Sequence, residues 1–237
     1  MSVSTQPDFG TNFAGIYPVS YGLLYNWYAV TDVRGITVEG WHVPTNAEFT
    51  ALRSYIATDQ SVNVVFTGGY LKETGTTYWN APNTGATNTY GFNARAGSSR
   101  VYNGVFGGII GTGCSFHASD WDNIGGAIRS GITIYYDANT SQFQYHITEA
   151  ILNATGKSIR LVKDTTALAH GETGIYTGND GKVYRTICIG TIEVLADNLC
   201  ETLYRDGSPI PEVTDNAAWA ALTSGALCAY NNDWNNV

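Results

Sequence analysis

The chain has 237 residues, with 27 Gly, 16 Tyr and 6 Trp, but only 14% of its residues are charged and its formal net charge is −8. With only 12 Lys and Arg in all it has no basic stripe for phosphate contacts, so neither nucleic acid nor an anionic membrane surface is an expected partner. The length allows a substantial core, and the Gly- and Tyr-rich, charge-poor composition argues against a helical bundle and for a turn-rich β domain of extracellular or virion type.

Residues 2–14 carry no positive n-region and no apolar h-region, so no signal peptide is expected. The longest apolar run, around residues 105–111, is too short and too Gly-rich to span a bilayer. "YGLLYNWYAV" (21–30) reads as a buried strand, with Leu23, Tyr25, Trp27 and Tyr28 around Gly22. The few polar residues before it cannot supply its neighbours. "TNAEFTALRSYIA" opens with Thr45 and Glu48 as a capping box and places Phe49, Leu52 and Ile56 on one helical face. Residues 67–113 are dense in Gly, Asn and Thr, a loop length that usually carries function or specific packing. Residues 130–137, 142–150 and 157–164 alternate or are β-branched and read as consecutive antiparallel strands. Residues 164–174 read as a linker, and 175–190 as a hairpin around Asn179-Asp180-Gly181. A second helix starts at Thr214 or Asp215, runs through Ala217, Trp219 and Leu222, and stops before Gly225.

The four cysteines, Cys114, Cys188, Cys200 and Cys228, lie too far apart for a zinc site. Buried thiols or one incidental disulfide are expected, with Cys200–Cys228 the first choice for a bridge. His42 reads as a hydrogen-bonded structural residue, and His146, on an alternating strand, could face either way. "SDWDN" (119–123) and "YNNDWNN" (230–236) are rich in oxygen donors that could take calcium or simply form Asx turns. No Ser/His/Asp set can be assembled, and "GGIIGTG" (107–113) lacks the ending of a phosphate loop.

"YGLLYNWYAV", "GWHVPTNAEFTAL", "GGYLKETGTTYWNAPNTGATNTYGFNARAGSSR" and "GKSIRLVKD" together resemble the Fibrobacter succinogenes major paralogous domain, a bacterial and phage family. The resemblance extends to "DGKVYRTICIGTIEVLADNL" and "YRDGSPIPEVTDNAAWAALTSGALCAYNND". It implies an α+β, C-type lectin-like domain with two helices and irregular, loop-rich antiparallel sheets. The fold is similar to that of the formylglycine-generating group, whose reactive cysteine pair finds no match here, so no enzyme is expected. In the family the second pair of motifs comes first, which implies a circular permutant. Its body would be residues 1–164, its linker 165–174, and residues 175–237 would complete the same domain or that of a neighbouring subunit. The missing neighbours of residues 21–30 would then be strands at 182–196 and the helix at 215–224.

In lectin-like folds of this kind, recognition is carried ahead of the last core strand, here residues 114–146. The expected ligand-binding residues are Phe116, His117, Asp120, Trp121, Asp122, Asn123, Tyr135, Tyr136, Asn139, Gln144 and Tyr145. Rigid aromatic rings supply contact area and amides supply adaptable hydrogen bonds. Because strand residues alternate, only one of Tyr135 and Tyr136 should face outward. The expected function is non-enzymatic recognition of a cell-surface glycan or receptor by a virion or extracellular protein. Its rivals are a decoration or fibre protein that contacts other virion proteins or copies of itself, and, more remotely, an oxidase relative.

Overall fold

The computed structural model describes residue 17 and residues 19–237. Strand β1 (Leu24–Tyr25) is short because Asn26 ends it. The Asn26 side chain accepts from the Ala29 amide and caps helix α1 (Trp27–Val30), so residues 21–30 are not the single strand that their hydrophobicity suggested. Strand β2 (Trp41–His42) leads into helix α2 (Asn46–Asp59), which forms as its sequence predicts. Thr45 and Glu48 make the reciprocal capping box, and Phe49, Leu52 and Ile56 are buried.

Helix α3 (Gly68–Leu71) and the small pair β3 (Ser99–Arg100) and β4 (Phe106–Gly107) are the regular elements that follow. The long loops around them are ordered by buried cations. Carbonyls outside a ladder still need donors once buried. Lys72 Nζ donates to the carbonyls of Thr84 (2.8 Å), Tyr135 (3.1 Å) and Ala138 (2.8 Å). Arg100 donates to those of Gly104, Val213 and Thr214. Arg160 donates to those of Phe92, Asn93 and Leu195. A charge-poor chain thus places several of its few cations inside, as clamps on irregular backbone.

Strands β5 (Gly113–Phe116), β6 (Asp122–Ile124), β7 (Ala127–Tyr135) and β8 (Ser141–His146) form an antiparallel sheet around β7. Strands β5 and β6 line one edge of β7 and β8 lines the other. The register slips between Arg129 and Ile132, where Gly131 adopts φ +76° against the Phe116 carbonyl, leaving no room for a Cβ. Strand β8 ends at His146, earlier than expected, because Thr148 caps helix α4 (Glu149–Ala154). The third expected strand, β9 (Val162–Lys163), therefore joins a different sheet.

That sheet also contains β10 (Thr173–Thr177), β11 (Val183–Ile189) and β12 (Ile192–Leu195), in the order β10-β11-β12-β9-β2. The β10–β11 hairpin turns at residues 178–181 as expected, and Thr173 and Gly174, read as linker, already belong to β10. Helix α5 (Asn216–Ala220) is capped by Asp215 and ends at Ala221, short of Gly225. Strand β13 (Leu227–Cys228) pairs with β1. The backbone partners of β1 are therefore β13 and Lys157, with Leu199 bonded to Leu23, and not the 182–196 strands. Side chains of those strands still pack on residues 21–30, since Tyr184 and Leu195 share a core cluster with Leu23, Tyr25 and Val30, and Trp219 of α5 packs with Leu24. Both parts of the chain share one α+β body. The core cluster that holds Phe49, Phe92, Phe116 and Ile132 also holds Ile187 and Val194. All four cysteines are buried and free, so Cys200 and Cys228 form no bridge.

His42 joins β2 to two other segments, its Nδ1 2.6 Å from Asp164 and its Nε2 2.8 Å from Glu48. Partial burial disfavours its charge, but the hydrogen bonds and charges of Asp164 and Glu48 outweigh that and raise its pKa. A pKa raised by folding gives stability that is fully present below the unfolded value of about 6.5 and lost as pH rises through the folded value. His42→Asn is therefore expected to lower the melting temperature more at pH 5.5 than at pH 8.5. An equal loss at both pH values would refute this role.

Candidate functional site

The outer face of the β7 sheet carries a cleft. Ile132 and Ile134 point from β7 into the core, so Thr133 and Tyr135 point the other way. Ser115 on β5 stands beside Thr133, with 3.0 Å between their hydroxyls. One hollow of about 190 Å³ lies over these residues and is closed by the β3–β4 ribbon. Ser98, Ser99, Thr112, Ser115 and Thr133 line it, with Tyr135 and Gln144 at its sides. A second hollow of about 320 Å³ adjoins it and shares Ser99 and Gln144. Its other walls are mainly apolar or aromatic: Val101, Tyr102, Tyr145, Ile147 and Ile151, with His146 and Thr155. Sites for small ligands combine such apolar walls with a few placed polar groups. Among the described residues no Asp, Glu, Lys or Arg lines either hollow.

The expected binding residues divide sharply. Tyr135, Gln144 and Tyr145 meet at the cleft, and Tyr135 and Tyr145 are 46% and 54% exposed. Tyr136 packs against the core, so the pair splits as strand alternation requires. Phe116 and His117 are fully buried and cannot meet a ligand at the surface. Phe116 faces inward from β5, where it meets Phe92 edge-on. The His117 ring donates from Nε2 to the Tyr25 carbonyl (2.8 Å) and fastens β1 to the main body. Trp121 is 38% exposed, at the β6 end and outside the cleft. Asn139 is exposed, with its carbonyl accepting from the Gly69 amide (3.1 Å).

The oxygen-rich loops use their donors on the protein itself. Asp120 accepts from the Asn46 amide (2.7 Å), and Asp122 pairs with Arg129 (2.9 Å to Nε). Asn123 accepts from the Gly126 amide at the β6–β7 turn, and Asp233 accepts from Asn235. Among the described residues no group of three or more His, Cys, Asp or Glu side chains is placed to hold a metal ion. Asp233 thus closes an Asx turn, while Asp120 and Asp122 are engaged with Asn46 and Arg129. Burial pushes the thiols of Cys114 and Cys200 up to about 12 and that of Cys228 up to about 11, which suppresses thiolate chemistry.

The small hydroxyl residues of the first hollow went unread in the sequence. Ser115 and Thr133 alternate with Phe116, Ile132 and Ile134, so strand parity alone marks them as the opposite face. The ribbon that closes the cleft has no such signal.

The Fibrobacter succinogenes major domain matches residues 16–163, more than half of the chain. The chain belongs to this family. In this Fibrobacter succinogenes major domain the match takes in β1 through β9, and with them the whole β7 sheet and both hollows. The strands β10 to β13 that complete its sheets lie beyond it. No curated protein and no solved structure matches the chain. Among the described residues no helix is long and apolar enough to cross a membrane.

Proposed function

We propose that this chain is a non-enzymatic surface recognition module of a phage virion or secreted bacterial protein, and that it binds a cell-surface glycan in the cleft over β7. The observation that carries the reading is the cleft's make-up: hydroxyl side chains on the floor, exposed tyrosines at the rim and, among the described residues, no Asp, Glu, Lys or Arg in its lining. Sugar rings present an apolar face to aromatic rings and hydroxyls to small polar groups. We also read the domain as C-type lectin-like and circularly permuted. The pairing of β1 with β13, and of β9 with β12, supports that reading by placing the C-terminal strands where the N-terminal ones need partners.

Tyr135→Ala tests the assignment. Half-exposed and at the end of β7, Tyr135 should contribute contact area rather than core packing. Its loss is expected to weaken attachment to cells or immobilised glycans at least tenfold, with the melting temperature changed by less than about 2 °C. Unchanged attachment would remove the cleft from consideration. A second reading, assembly into a decoration or fibre, has its own support in exposed Tyr102, Val105, Ile109 and Ile147 around the same ribbon and cleft. Molar mass in solution separates the two: a monomer favours recognition, a stable oligomer assembly.

A further inference from the structure

Gln144 sits where the two hollows meet. Its carbonyl oxygen is shielded from solvent and has no hydrogen-bond partner among the described residues. A buried acceptor left unpaired carries a desolvation penalty that a ligand donor could relieve. The terminal torsion of a glutamine is broad, so the amide of Gln144, which lines both hollows, can turn to meet a ligand. On one side of Gln144 lie hydroxyl groups, and on the other Val101 and Ile151 offer an apolar wall.

We infer that the cleft is shaped for a neutral N-acetylated glycan, with the acetamido group of an N-acetylhexosamine seated at Gln144. This rests on the glycan reading above. An acetamido group carries one N–H donor, one carbonyl acceptor and one methyl in a fixed plane. The donor meets the unpaired Gln144 oxygen, the methyl lies against Val101 and Ile151, and the ring hydroxyls turn toward Ser99 and its hydroxyl neighbours. A plain hexose offers a hydroxyl in place of the acetamido group and leaves the apolar wall uncovered. An anionic sugar would be desolvated with no cation to meet it. His146, among the described residues the one titratable group in the walls besides the tyrosines, is neutral. Burial, and then the charge of Lys157, whose Nζ lies 3.0 Å away and whose own pKa burial lowers to about 7, push its pKa down to about 3.

The test uses the full chain and three probes: N,N′-diacetylchitobiose, cellobiose and a tetramer of galacturonic acid. Binding is read by titration and by saturation transfer to the acetyl methyl protons. The diacetyl disaccharide is expected to bind at least tenfold more tightly than cellobiose, with its methyl signals the most strongly saturated, and the galacturonate to show no binding. In Gln144→Leu, with an unchanged melting temperature, the preference should fall to about threefold or less. Equal binding of the two neutral disaccharides overturns the acetamido assignment and leaves the glycan reading standing. Preferred binding of the galacturonate, lost in Tyr135→Ala, does the same. If an array of neutral and anionic glycans gives no binding at all, both readings fall.

Discussion

Removing residues 175–237 is expected to leave residues 1–174 unfolded or aggregated. The deleted block supplies Ile187, Ile189, Val194, Leu195, Leu199 and Leu227, all buried, along with the fully buried rings of Tyr184, Tyr204 and Trp219. At roughly 1.5–3 kcal/mol for each large apolar side chain, the six aliphatic residues alone match the typical total stability of about 5–15 kcal/mol. The loss is also polar. Arg100 would lose the carbonyls of Val213 and Thr214, and β9 and β1 would lose their strand partners β12 and β13. Circular dichroism and thermal melting check this. A 1–174 fragment that melts cooperatively near the full chain would show that the block is an appendage, and would sink the permutant reading. Dilution of the full chain adds a second check. Closure within one chain predicts a melting temperature independent of concentration, whereas exchange between subunits predicts one that falls on dilution.

Much of this architecture could be read in advance because local chemistry decided it. The Thr45–Glu48 capping box, the Asn179-Asp180-Gly181 turn and the split between Tyr135 and Tyr136 follow from interactions a few residues apart. Where the sequence misled, a polar side chain overrode a hydrophobic pattern. Asn26 turns an apolar run into a strand and a helix, and Thr148 starts a helix inside what alternation marks as strand. The site was half legible for a related reason. Tyr135 follows from strand parity, but Gln144 and Tyr145 are adjacent on β8 and simple alternation does not bring both to one cleft. Phe116 has the inward parity of β5, and His117, just past the end of that strand, is fully buried. The serines and threonine of the β3–β4 ribbon and its flank reach the cleft by tertiary folding, which no periodicity encodes. The buried cations escaped for the same reason, since a carbonyl acceptor leaves no trace in residue type.

Arg160→Leu is expected to be the most damaging single substitution in the chain. Arg160 is fully buried between the rings of Phe92 and Phe116, with its guanidinium carbon 4.5 Å and 5.4 Å from their centres. Besides the three carbonyls of Phe92, Asn93 and Leu195, it donates from Nε to the Asn198 side-chain oxygen (2.9 Å). Burial pulls its pKa down, the mark of a charge held at a cost, and leucine would remove that cost. It would also leave four buried acceptors without a donor, at about 1–3 kcal/mol each. The acceptors win this comparison, because they belong to two segments, 92–93 and 195–198, that are far apart in sequence and cannot turn to water together. A net loss of roughly 4 kcal/mol or more is expected, which in a chain of this size lowers the melting temperature by about 8–16 °C. Arg129→Ala is the contrast. It breaks an ion pair in which Arg129 and Asp122 are 22% and 44% exposed, and surface pairs of this kind contribute about 0–1 kcal/mol. Thermal and urea melts of the two variants beside the parent decide the matter. If Arg160→Leu melts within about 2 °C of the parent, the carbonyl clamp is not what holds residues 92–93 and 195–198 together.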